Sequence, residues 1–122
     1  MGLDVSHGCW TGAYSAFHHW RKKLCEVAGY GNIDERVGFG GTIPWPDCKD
    51  DALVLLLHHS DCDGELRWQD CNAIADGLSR LLPALEKAGD GGGHIHSYAG
   101  KTRQFIEGLR KAANAQEDVE FF

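Results

Sequence analysis

The sequence predicts a mainly α fold with a small β element: about four helices beside a short sheet that pairs the N- and C-terminal strands. Three observations lead there. Apolar residues recur at three- and four-residue spacing in three separate stretches, the signature of helices with one buried face. A fourth stretch is apolar on every side, as a fully buried helix is. Both ends of the chain alternate apolar with polar residues, the period of a half-buried strand.

In chain order, Leu3 and Val5 share one face of a short strand over residues 1–6. Gly2 with Ser6 also fits the short N-myristoylation pattern. From about Thr11 to Ala28, Ala13, Phe17, Trp20, Leu24 and Val27 make the core stripe of a helix, with Ser6 or Thr11 as its cap. A second stripe of Tyr14, His18, Arg21 and Cys25 runs beside it at the same period. Such a stripe is either a pocket wall or a boundary whose polar ends reach water. Residues 29–46 hold five glycines and two prolines together with Tyr30, Phe39 and Trp45. A loop of that length is usually a lid, a binding loop or disordered, and its aromatics argue for order.

Asp47 with Asp50 makes a weak capping box before the apolar helix Ala52 to Leu57. Trp68, Cys71, Ile74, Ala75, Leu78, Leu81 and Leu82 form the clearest amphipathic helix, which Pro83 should end or kink near Leu82. Residues 86–93 read as a glycine-rich linker. A last helix runs from about Tyr98 to Asn114 with Phe105, Ile106, Leu109 and Ala113 inward. Val119, Phe121 and Phe122 alternate with Glu120 in a closing strand.

At 122 residues the chain is expected to be a single compact domain, 1–122, that buries roughly two-thirds of its unfolded surface. A net charge of −6 argues against nonspecific nucleic-acid binding, which needs a basic field. No apolar run approaches the ~20 residues of a membrane span, and no secretory leader opens the chain. Five scattered cysteines without a C-x-x-C pair fit a reducing, cytoplasmic setting and argue against a paired-ligand zinc site. Homo-oligomerisation is compatible with all of this.

The candidate site centres on His58-His59-Ser60-Asp61-Cys62-Asp63-Gly64-Glu65-Leu66, where three carboxylates fall within five positions. Like charges so close need a cation or a donor-rich ligand to offset them. On the EF-hand template His59, Asp61, Asp63 and Asp70 take positions one, three, five and twelve. A histidine in first place and an aspartate in last depart from the oxygen set calcium requires. These four residues are the metal candidates, and a divalent metal is the one cofactor the pattern leaves room for. A metallohydrolase centre from His7, His59, Asp61, Asp63 and His94 is the transition-metal version, although no local spacing matches a known signature. The run Gly91 to Thr102 is not a Walker loop, because Ile95 stands where its first glycine should be. It still delivers a glycine-rich turn to a helix start with Lys101 and Arg103 in the first turn, which favours an anion. No Ser–His–Asp or Cys–His arrangement can be read from the residue order.

Met1 to His7, Gly12 to Phe17, His59 to Glu65 (His-Ser-Asp-Cys-Asp-Gly-Glu) and Thr102 to Ile106 together resemble a family of small proteins from phages, prophages and environmental sequences. The resemblance spans nearly the whole chain. Small phage proteins of this kind include inhibitors that sequester nucleotide immune signals, such as the cyclic ADP-ribose isomers of bacterial Thoeris defence. The resemblance therefore implies a non-enzymatic binding protein acting in the cytoplasm of an infected bacterial host. Trp10, Tyr14, Phe39 and Trp45 would stack on a base, and Arg21, Lys101 and Arg103 would meet phosphate. Asp61, Asp63 and Glu65 would accept from ribose or amino groups, with His7, His18, His59, His94 and His96 around them. The alternatives are a metal-dependent phosphodiesterase, an EF-hand-like calcium-binding module, or a module that blocks a host protein.

Overall fold

The computed structural model describes residues 2–60, 63–88 and 97–122. It is mainly α with a small β element, as the periodicities predict. Strands β1 (Gly2–Val5) and β2 (Trp10–Ala13) form an antiparallel hairpin, with Gly2 opposite Ala13 and Val5 opposite Trp10. A 3-10 turn at Ser6–Gly8 joins them. Residues 11–13 were expected inside the first helix, which instead begins at Tyr14. Gly12 is a poor helix former, and pairing with β1 satisfies this segment's backbone as well as a helical turn would. Neither expected cap serves the helix. Ser6 Oγ accepts from the Glu120 amide at 2.9 Å, and Thr11 Oγ1 donates to Asp4 at 2.6 Å.

Helix α1 (Tyr14–Val27) buries Phe17, Trp20 and Leu24 as its spacing predicts, while Ala13 is exposed and Val27 half-buried. It also buries Arg21 and Cys25 of the second stripe. Trp10, Phe17, Trp20 and Phe105 make the aromatic centre of the core, with neighbouring ring centroids 5.0–5.7 Å apart. Trp20 Nε1 donates to Thr102 Oγ1 at 2.9 Å, and that hydroxyl donates in turn to the Tyr98 carbonyl at 2.7 Å. The Trp20 indole N–H is therefore satisfied, as a buried donor requires, whereas Trp10 Nε1 is buried without a hydrogen-bond partner among the described residues.

Helix α2 (Leu53–Leu57) is short and buried. Its cap is Asp51, whose carboxylate accepts from the Leu53 amide at 3.0 Å. Asp47 instead closes its own turn on the Lys49 amide at 2.9 Å. Helix α3 (Trp68–Ala88) runs through Pro83 rather than stopping before it. Leu85 is fully buried beyond the proline, and Glu86 pairs with Arg103 of the next helix. Those contacts hold the last turn against the lost backbone bond, which is tertiary packing overriding propensity. Helix α4 (Tyr98–Ala115) packs along α3 and starts on Ser97, whose Oγ accepts from the Gly100 amide at 3.0 Å.

Strand β3 (Glu65–Leu66) pairs with the closing strand β4 (Val119–Glu120). The expected pairing of the first and last segments is made as a short antiparallel bridge between two small sheets, because β2 and β3 also supply β1 and β4 with partners. The two sheets still touch: Val5 bridges Phe121, and Asp4 and Phe122 exchange backbone hydrogen bonds of 3.0 and 2.8 Å. Val119 and Phe121 point inward, while Phe122 is exposed. No helix among the described residues is long and apolar enough to cross a membrane.

Candidate functional site

The loop over residues 29–46 is braced from within. Arg36 donates through Nη2 to the Tyr30 carbonyl and through Nη1 to the Pro44 carbonyl, both at 2.6 Å. The Val37 amide meets the Ile43 carbonyl at 2.9 Å, and Trp45 Nε1 meets the Val37 carbonyl at 2.9 Å. Ile33 anchors the loop in the interior. So held, the loop sets Phe39 against α1, with the Arg21 guanidinium 5.3 Å from the Phe39 ring centroid and 4.6 Å from that of Phe17.

Arg21 is 1 % exposed, and its Nη1 donates to the carbonyls of Leu56 and Leu57 at 3.2 and 3.3 Å and to that of His59. The end of a helix leaves carbonyls without partners and carries partial negative charge, so a guanidinium here stabilises both. This fixes α2 to α1 and places His58 and His59 beside His18. The result is a cavity of about 320 Å³ lined by His18, Arg21, Gly38, Phe39, His58, His59 and Ser60.

Each imidazole of known partner is oriented. His18 Nε2 lies 3.0 Å from Asp34, a carboxylate that Lys22 also contacts at 3.1 Å. The hydrogen bond from Lys22, with a smaller one from His18, holds the Asp34 carboxyl below its ordinary value against a partial desolvation effect. His59 Nδ1 is 2.7 Å from the Ser60 carbonyl, and its Nε2 is 3.0 Å from the Glu65 carbonyl. Carbonyl oxygens only accept, so both contacts are complete when both ring nitrogens carry hydrogen. The ring also stacks on Phe121 at 4.1 Å between centroids. His59 thereby clasps the turn at both ends, and Gly64, with φ of +92°, leaves room beneath it.

Of the ligand residues expected from sequence, His18, Arg21 and His59 come together here. Phe39, expected as a stacking ring, joins them. The others are dispersed or already engaged. Trp10 is 2 % exposed and belongs to the core, so it offers no stacking face. Tyr14 packs half-buried against the core and lines none of the described cavities named here. Lys101 lies over the Trp10 ring at 4.9 Å and borders a separate depression with Ser97, Gly100 and Gln104. Arg103 is taken up by Glu86. Glu65 opens onto another depression beside Arg67 and Asp118, and His7 onto a fourth beside Glu117. Asp63 is exposed, and Asp61, His94 and His96 lie outside the described residues.

The EF-hand reading meets the same geometry. His59 spends both nitrogens on carbonyls, and Asp70 sits in the first turn of α3. Among the described residues no three His, Cys, Asp or Glu side chains gather where they could hold a metal ion. His58 and Ser60 belong to the stretch the sequence singles out but were not among its expected ligand residues, and both line the cavity. The doubled histidine immediately after the apolar run was the available signal, since the residues that end a buried helix must come to the surface.

A larger cavity, about 570 Å³, lies between the loop and α3 and includes Tyr30, Cys48, Lys49, Asp51, Asp76 and Arg80. Of its polar side chains, Tyr30, Asp51 and Asp76 are already engaged. Tyr30 donates to Asp51, and Asp76 accepts from Arg110 at 2.7 Å. Burial, then the Asp51 hydrogen bond and charge, push the Tyr30 hydroxyl up to about 12. The smaller cavity, with its buried cation and convergent imidazoles, is the better ligand site. Comparison of the chain with family models, curated proteins and solved structures gives no match.

Proposed function

We propose that this chain is a binding protein for a small phosphate-bearing ligand with an aromatic ring, held in the cavity between α1, the 29–46 loop and the end of α2. One observation carries the reading: a guanidinium at the cavity floor ringed by three histidines, with an aromatic face alongside. An imidazole N–H of His58 and the positive charge of Arg21 suit phosphate oxygens, and Phe39 offers a π-face for a base. At about 320 Å³ the space is near the lower end of the roughly 300–1,000 Å³ of small-molecule sites. It suits one phosphate with one ring system better than a cyclic dinucleotide. Sequestration of a nucleotide-derived immune signal, implied by the phage-family resemblance, is the physiological form of this proposal.

Calorimetric titration with adenosine monophosphate, ADP-ribose and inorganic phosphate tests it. Binding should be strongest for the nucleotides, weaken with added salt, and fall about tenfold in His58→Gln, the loss of one charge-assisted hydrogen bond of about 1.5 kcal/mol. His58 is exposed, so the variant keeps its fold. A bound nucleotide should return intact on denaturation. No heat from any of the three ligands, or equal affinity in the variant, refutes the assignment.

A further inference from the structure

A second cluster lies where the β1–β2 turn meets the end of α4, in a depression apart from the phosphate cavity. Ser6 Oγ is 2.8 Å from His7 Nδ1, and His7 Nε2 is 3.0 Å from a Glu117 carboxylate oxygen. The bond directions follow from the partners. A carboxylate only accepts, so Nε2 carries the hydrogen of the neutral ring and Nδ1 presents a lone pair. Ser6 therefore donates its O–H to His7. One lone pair of Ser6 Oγ takes the Glu120 amide hydrogen at 2.9 Å, which leaves the other free. Serine, a base and an orienting acid are thus joined in the order acyl-transfer sites require.

Two further observations single this cluster out. His7 holds φ 61° and ψ 19°, a left-handed backbone that a non-glycine residue adopts at a cost and that gathers at functional sites. The cluster also opens onto a depression of about 480 Å³ lined by Ser6, His7, Glu117, Asp118 and Glu120. His7 itself is mostly covered, its side chain 19 % exposed, while Glu117 is open at 64 %. With three carboxylates on the rim, the depression favours a substrate that carries positive charge.

We propose that Ser6, His7 and Glu117 form a nucleophilic relay that hydrolyses small esters of cationic alcohols. Ser6 Oγ bonds to the acyl carbon as its proton passes to His7 Nδ1. The carbon–oxygen bond to the alcohol breaks, and the departing oxygen takes that proton from His7. Water then attacks the acyl-serine while His7 accepts its proton. The proton returns to Ser6 Oγ as the carboxylic acid leaves. Glu117 keeps the imidazole in the required tautomer and stabilises the imidazolium formed in each half.

The test uses the intact chain and a fluorophosphonate, which phosphonylates an activated serine as fluoride leaves the phosphorus. Peptide mass mapping should place one adduct on Ser6, with none in Ser6→Ala. Labelling should slow by at least about 100-fold in His7→Asn, the range general-base catalysis supplies. Glu117→Gln should slow it less while leaving the thermal melt unchanged, a split that a purely structural clamp would not give. Acetylcholine should be hydrolysed faster than 3,3-dimethylbutyl acetate, its uncharged analogue of the same shape. No adduct, an adduct on another residue, an undiminished rate in folded His7→Asn, or preference for the neutral ester overturns the proposal. None of these outcomes bears on the phosphate cavity.

Discussion

Gly108 of α4 faces the turn at Cys9, and replacing it with alanine tests how tightly those two pieces are fitted. A Cβ at that position would lie 2.4 Å from Cys9 Sγ and 3.0 Å from both Cα and N of Cys9. Comfortable carbon contacts lie at about 3.5–4.0 Å. Cys9 has no accessible surface, and its amide is bonded to the Ser6 carbonyl at 3.2 Å, so it cannot retreat without opening the turn. Two of the three clashing atoms are backbone, which puts the overpacking cost near the upper end of the usual range, about 3 kcal/mol. Exchanging glycine for alanine inside a helix returns roughly 1 kcal/mol. The net expectation for Gly108→Ala is a loss of about 2 kcal/mol, a fall in Tm of about 8 °C for a chain of this size. Gly77→Ala on α3 is the matched control, because its Cβ would meet Leu53 Cβ at 3.4 Å, an ordinary contact. It should gain up to about 1 kcal/mol. Urea melts of both variants decide the matter. Equal stability of Gly108→Ala and the parent, or shifts of the same sign in both variants, would refute the reasoning.

Other expectations follow from single contacts. Thr102→Val removes the acceptor of the buried Trp20 indole and should cost about 1–3 kcal/mol in chemical denaturation, the penalty of an unsatisfied donor. Pro83→Ala should raise stability by about 1–3 kcal/mol, since the helix already continues through that position and gains a backbone bond. Burial pushes the Cys9 thiol from 9.0 up to about 12 and the Cys71 thiol to about 11. Above pH 9 the unfolded chain therefore ionises these groups while the folded chain keeps them protonated, and stability should fall steadily between pH 9 and 11. In the same folded protein at pH 8, mass spectrometry after alkylation should find Cys48 modified and Cys9, Cys25 and Cys71 spared.

Much of the helical scaffold was legible because burial is periodic. Phe17, Trp20 and Leu24, or Cys71, Ile74 and Leu78, announce their faces at any reasonable register. Leu53 to Leu57 was legible for the opposite reason, having no polar side to expose. The hairpin was not, because Trp10 to Ala13 has no alternation of its own and becomes a strand through pairing with β1. Pro83 misleads in the same way, since the contacts of Leu85 and Glu86 that overrule it come from elsewhere in the chain. For the cavity, the stripe of His18 and Arg21 pointed at the correct wall. That a charged side chain would be 1 % exposed follows only from the α2 carbonyls it meets, thirty-five and more positions away. Ser6 and His7 are adjacent in sequence, but Glu117 is 110 positions distant, and no local spacing encodes that meeting.

Residues 119–122 act as one fastening for parts that are otherwise separate. Val119 lies beside Leu66, the Glu120 amide steadies Ser6, the Phe121 amide holds the Gly64 carbonyl while its ring supports His59, and Phe122 ties into Asp4. One wall of the cavity lined by His18, Arg21 and His59 and the left-handed serine–histidine turn are therefore hung from a single peg. Truncating the Phe121 ring should therefore disturb both places in one stroke, read as a change in the amide spectra of His59 and His7 together.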